Sequence, residues 1–245
     1  MNNKVYINIG KVVYLEGVVK VNDKSNKKFW DRFAKLYAPF MKKDKGAYDR
    51  VCEYISPHLD KDMDVLELAC GSGQLSFSLS KHTKTWIGTD FSEKMILEAK
   101  KCGEYENLTF EVADATALSF ADEEFDCVMI ANALHIMPNP DRAMKEIHRV
   151  LKPNGTLFAP TFLWKEGKQR NIIKSLMSIS GFKMYQEWNK KQFEDFIEEY
   201  GFSVVEIKLV YAGIAPIGVL IAKKYLNRLF LRIKISPKCT RCNKK

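Results

Sequence analysis

Val65-Leu-Glu-Leu-Ala-Cys-Gly-Ser-Gly73, followed by Thr85-Trp-Ile-Gly-Thr-Asp90, joins a buried strand, a glycine turn and a second strand that ends in a carboxylate. Apolar Val65, Leu66 and Leu68 suit a strand covered on both faces. Gly71 and Gly73 permit a sharp turn and leave no Cβ between the backbone and a ligand. Asp90 falls nineteen residues after Gly71, about where an open α/β sheet presents an acid to a ribose diol. The third glycine of a G-x-G-x-x-G pattern is replaced by Ser76, and an acid, Glu67, stands just before the turn. Both departures favour a cationic adenosyl ligand over the pyrophosphate of a dinucleotide.

Outward from this unit, apolar segments alternate with amphipathic ones. The pattern predicts helices over Phe29–Lys42 and Ala47–Ile55, then strands at 64–69, 85–89, 108–113, 126–131 and 156–161. Helices over 73–82, 93–101 and 140–151 lie between them, the second capped by Ser92. Such alternation implies a mostly parallel sheet with right-handed crossovers. Residues 163–188, rich in aromatic and methionine side chains, interrupt it before a helix at 190–200 and apolar pairs at 203–211 and 217–223. Residues 1–28 read as an N-terminal appendage.

Further motifs recur in order: Asp90-Phe-Ser-Glu-Lys-Met95, Ala113-Asp114-Ala115, Phe125-Asp126 leading into Val128-Met-Ile130, Leu134-His135, and Arg149-Val-Leu-Lys-Pro-Asn-Gly155. With them, the chain from about residue 29 to 223 resembles the class I S-adenosylmethionine-dependent methyltransferases, in the branch that holds the quinone-biosynthesis C-methyltransferases. The resemblance implies a Rossmann-like α/β fold: a seven-stranded, mostly parallel sheet, helices on both faces and a C-terminal antiparallel hairpin. It implies S-adenosyl-L-methionine as cofactor and a small-molecule acceptor. Gly71 and Gly73 would pass the methionine part over their backbone, and Glu67 would lie near its ammonium or sulfonium end. Asp90 would accept both ribose hydroxyls, Phe91 and Met95 would contact adenine, Asp114 would accept from its amine, and Ala115 would supply a backbone donor. Tyr37 matches a tyrosine that closes over the methionine end. His135 is the candidate base or acceptor contact, or else a histidine bonded within its loop; Ile136 stands where many relatives have a second histidine. Trp164, Tyr185 and Trp188 either line the acceptor cavity, roofed by the 163–188 lid insertion, or pack that lid onto the core. The Asn/Asp-Pro-Pro-Tyr motif of methyltransferases acting on nucleobase amines is absent after the fourth strand, where Ala131-Asn-Ala-Leu-His135 stands, so no nucleic-acid partner is expected.

Composition agrees with one α/β unit: 245 residues, 46% of them hydrophobic, can bury a single large core. No apolar run approaches the twenty or so residues of a membrane span, and no signal-peptide pattern opens the sequence, so a cytoplasmic location is expected. Six cysteines follow no disulfide-scaffold spacing. Cys239-Thr-Arg-Cys242 is half of a zinc ligand set, and the four histidines all lie earlier in the chain, so no metal site is expected.

The formal charge of +9 is local. Nine of the 39 lysines and arginines lie after Ala222 with no acid among them, which leaves 30 basic against 30 acidic residues in the rest. In this tail, 224–245, Tyr225, Leu226, Leu229, Phe230 and Ile233 recur at helical spacing among the charges, the pattern of a basic amphipathic helix. It fits peripheral contact with an anionic membrane as well as an ordinary surface helix. Three functions therefore stand open: a methyltransferase for a small molecule, a membrane-peripheral one for a phospholipid or quinone head group, and a non-catalytic binder of S-adenosylmethionine. Removal of everything after Lys224 is expected to abolish sedimentation with anionic vesicles, to which each basic residue near the surface adds about 1 kcal/mol, while cofactor affinity stays unchanged. Equal sedimentation of both forms would reject the membrane arm.

Overall fold

The computed structural model describes residues 24–41, 44–166, 183–213 and 215–225. Residues 1–23 of the leader, residues 167–182 of the insertion and the tail after Tyr225, with Cys239 and Cys242, lie outside the described residues. Two N-terminal helices, α1 (Lys24–Met41) and α2 (Lys45–Ile55), precede an alternating series: β1 (Asp64–Leu68), α3 (Gln74–Leu79), β2 (Thr85–Asp90), α4 (Glu93–Lys100), β3 (Leu108–Val112), β4 (Phe125–Ile130), α5 (Pro140–Val150) and β5 (Leu151–Phe162). After the insertion come α6 (Lys190–Glu198), β6 (Phe202–Val210) and β7 (Ile217–Lys224). One seven-stranded sheet runs β3-β2-β1-β4-β5-β7-β6. Its first five strands are parallel, and β7 pairs antiparallel with both β5 and β6. This is the expected Rossmann-like sheet with its C-terminal hairpin.

The β1 pleat sorts the core. Leu66 and Leu68 face a layer with Val128, Ile130, Leu157 and, from α5 and α6, Ile147, Phe193 and Ile197. Val65 faces the opposite layer with Met129, Phe158, Val51, Ile55, Leu79 and Ile96. Each such aliphatic side chain, fully buried, contributes about 1.5–3 kcal/mol. Strand order reverses between β1 and β4, and in an open parallel sheet a ligand crevice forms outside the carboxyl ends of the strands at such a point.

Two boundaries differ from the sequence reading. Helix α1 begins at Lys24, so the limit expected at residue 28 falls inside a helix. Strand β5 starts at Leu151 instead of 156, because the chain turns extended directly after α5 and pairs Leu151 with Phe125 before a register shift.

The face of β1 opposite Leu66 and Leu68 carries Glu67, 1% exposed. Its Oε2 accepts from Ser76 Oγ at 2.5 Å and Trp86 Nε1 at 2.9 Å, which ties β1 to α3 and β2 beneath the glycine turn. Burial pushes the Glu67 carboxyl up to about 7 against the pull of these two donors, and the Asp90 charge adds to the rise. A carboxyl raised in the folded state loses stability as pH climbs from its unfolded value through the folded one. Trp86→Phe removes a donor to the ionised form, so its effect is expected to be larger at pH 8 than at pH 5.5, by about 1–3 kcal/mol. Urea unfolding at the two pH values measures this; a pH-independent loss would reduce Trp86 to a packing residue.

Candidate active site

The turn after β1 alternates into the left-handed region at Ala69 (φ 54°), Gly71 (φ 56°) and Gly73 (φ 84°). A Cβ on Gly71 would lie 2.8 Å from the Tyr37 ring, and one on Gly73 2.8 Å from both Phe77 and Phe110. Here glycine is demanded by conformation and by space together. Asp90, at the end of β2, accepts from Gly71 N at 2.9 Å through one oxygen and from Ser92 N at 2.8 Å through the other. Burial pushes its carboxyl up to about 6, the two backbone donors oppose the rise, and nearby Asp31 adds to it. Ser92 caps α4 through Met95 N, as expected, and also donates to Asp31 Oδ1 at 2.6 Å. Asp31 belongs to α1, whose Lys27 lies 5.6 Å above the Phe91 ring.

The structure gathers most of the expected cofactor residues. Phe91 is half exposed beside Asp90, and Met95 is buried one turn further on. Ala113 N donates to Asp90 O, which brings the β3 loop with Asp114 and buried Ala115 alongside. Asp114 itself is exposed, and its Oδ1 takes the Thr116 backbone N–H and hydroxyl at 2.8 Å each. The Tyr37 ring covers Gly71, and burial raises its hydroxyl pKa strongly. Glu67 sits under the turn, both its donors coming from the protein.

Across the crevice, β4 gives way to a loop that holds Ala131, Asn132 and then His135. The His135 ring is 2% exposed, with Nδ1 3.2 Å from Thr161 Oγ1 and Phe162 edge-on at 6.0 Å. Burial pushes its pKa down to about 3, so the imidazole is neutral at physiological pH. Its carbonyl accepts from both Tyr185 N and Gln186 N, which pins the end of the insertion to the loop after β4. Trp164, also buried, packs 6.4 Å from the His135 ring. Trp188 departs from the cavity reading: it stacks on Phe193 and Phe196 of α6, within the core. The sequence reading missed Asp31, Thr161, Tyr48 and Asn132. Only Asn132 carried a local signal, an amide directly after a ligand-edge strand.

A methyltransferase-domain family matches residues 66–159. The chain is 31% identical over 194 residues to the ubiquinone/menaquinone biosynthesis C-methyltransferase UbiE of Rickettsia prowazekii, covering 67% of this chain and 78% of that one. The chain belongs to the class I S-adenosylmethionine-dependent methyltransferases. The demethylmenaquinone methyltransferase of Staphylococcus saprophyticus is likewise 31% identical, covering 69% of this chain and 89% of its own. Among solved structures, the methyltransferase in complex with the Trm112 activator of Haloferax volcanii superposes with a TM-score of 0.71 at 17% identity, over 82% of this chain and 98% of that one, and shows the shared fold.

The residues fit the family's cofactor. Gly71 and Gly73 open the turn, Asp90 has acceptor lone pairs beyond its two backbone donors, and Asp31, Glu67 and Asp90 together suit a ligand of positive charge. S-adenosylmethionine affinity is expected to fall as pH drops below about 6, up to tenfold per unit, because the protonated Asp90 loses its paired acceptors. Asp90→Ala is expected to remove that pH dependence and to weaken binding by on the order of 1.5–3 kcal/mol for each lost charge-assisted bond. Calorimetry between pH 5 and 8 reads both, and unchanged affinity in a folded variant would sink the ribose assignment.

Proposed function

We propose that this methyltransferase acts on a ring carbon of a hydroquinone-type aromatic acceptor, the methyl donor being held by Gly71, Gly73, Asp90, Phe91, Met95, Asp114 and Ala115. The observation that carries the reading is the acceptor side of the crevice. It is aromatic and uncharged: neutral His135, Phe162 and Trp164 pack together beyond β4 and at the end of β5, and the Tyr185 backbone bonds to the His135 carbonyl. The two curated relatives add to it, since their names state C-methylation in ubiquinone and menaquinone biosynthesis and methylation of demethylmenaquinone.

When bound, S-adenosylmethionine supplies a methyl group activated on a sulfonium. For the protein there remain orientation and exclusion of water, the dominant demands of a displacement at carbon. An electron-rich hydroquinone ring is its own nucleophile, so a strong base beside the reacting carbon is not required. His135, kept neutral by burial and oriented by Thr161, packs the ring plane in this reading. The nine basic residues after Ala222 also suit an acceptor dissolved in an anionic membrane. Among the described residues no helix is long and apolar enough to cross a membrane.

The test uses the full chain, methyl-labelled S-adenosylmethionine and 2-geranyl-1,4-naphthohydroquinone kept reduced. Label is expected at C3 of the ring by mass spectrometry and NMR, with none on the oxidised quinone. Label on neither form would overturn the reading.

A further inference from the structure

Asn132 occupies a position that neither the cofactor residues nor the core explains. It lies two residues past β4, near the strand-order reversal and against β5: its backbone N donates to Pro160 O at 2.8 Å. Its φ is +52°, a conformation that glycine adopts freely and asparagine better than most other residues. The amide Nδ2 donates to Tyr48 Oη at 2.7 Å. That contact ties the amide to α2, where Tyr48 is half-buried and its hydroxyl pKa is raised well above the ordinary value, the nearby Tyr37 hydroxyl adding to the burial effect. Oδ1, the other end of the amide, is buried and accepts no hydrogen bond among the described residues.

A buried amide oxygen without a donor carries a desolvation cost of about 1–3 kcal/mol. A fold keeps such a group where something else meets it, and sparsely populated backbone conformations gather at the same kind of place. The alternative, that asparagine is there only to satisfy the left-handed backbone, leaves the clamp from Tyr48, 84 residues away in sequence, without a purpose.

We propose that Asn132 is an acceptor-positioning residue: its Oδ1, aimed by Tyr48, takes the hydroxyl hydrogen next to the ring carbon that is methylated. The inference rests on the hydroquinone reading and makes it specific. A quinone carbonyl brings no hydrogen to an amide oxygen and would set two acceptors against each other, so Asn132 selects the reduced ring. A hydroxyl anchored at one defined oxygen also fixes which neighbouring carbon faces the donor side, where Gly71 and Tyr37 lie.

Asn132→Gly tests this with little strain, since glycine accepts φ +52° and the variant loses only the amide. The probes are 2-geranyl-1,4-naphthohydroquinone and its monomethyl ether at the oxygen beside C3. Capping this hydroxyl also lowers the intrinsic reactivity of the ring, but that loss is common to wild type and variant and cancels in the ratio. Wild type is expected to prefer the free hydroxyl, and Asn132→Gly to lose about tenfold of that preference in kcat/KM, the equivalent of about 1.4 kcal/mol. Melting temperature and S-adenosylmethionine affinity are expected to stay at wild-type values. Tyr48→Phe, which releases the amide without touching the β4 turn, is expected to shift the preference in the same direction and carries the test if the glycine variant does not fold. An unchanged preference in a folded variant, or a loss of cofactor affinity in its place, overturns the role of Asn132 while leaving the hydroquinone reading intact. Failure of the wild type to methylate the hydroquinone at all overturns both.

Discussion

The Asp90 carboxylate is the constraint on which the site depends. It bonds at once to the turn after β1 and to the start of α4, so two strand ends that are neighbours only through the sheet are locked to one another at their ligand edge. The turn can then hold left-handed backbone at three of five consecutive positions, an arrangement that loop residues alone would not maintain. Glu67 braces the same turn from below through Ser76 and Trp86. Two buried carboxylates thus carry opposed tasks: one consumes its hydrogen bonds within the protein, and the other keeps acceptor capacity for a ligand.

Burial raises both groups, to about 7 and about 6; the Asp90 charge adds to the rise at Glu67, and the Asp31 charge to that at Asp90. A ligand bearing positive charge relieves part of that repulsion. Binding and folding are therefore coupled through the same few oxygens, and the region around β1 and β2 gains most from occupancy.

The parallel core was legible because its determinants are local. A doubly buried strand, a glycine turn and an acid at a fixed distance all lie within Val65–Asp90, and the helix starts carry their own caps, Ser92 for α4 and an Asn189/Gln192 capping box for α6. Element boundaries held within a few residues except where tertiary pairing decided them, as at Leu151, which extends because Phe125 waits beside it. The acceptor side was less legible. Trp188 belongs to an aromatic-rich segment, but which aromatics face a cavity depends on the placement of α6, a partner far along the chain. Asp31 and Tyr48 matter only because α1 and α2 fold back over loops that lie 61 and 84 residues later in the sequence. No periodicity encodes such a contact.

Two segments from different parts of the chain are pinned beside the carboxyl ends of the strands. Asp31 of α1 fastens one segment to Ser92, at the end of β2, whereas Tyr185 and Gln186 fasten the other to His135, in the loop after β4. No bond in either fastening is shared with the other. Each segment is therefore held by its own anchor, and loss of the Asp31–Ser92 bond would leave the Tyr185 and Gln186 bonds to His135 in place.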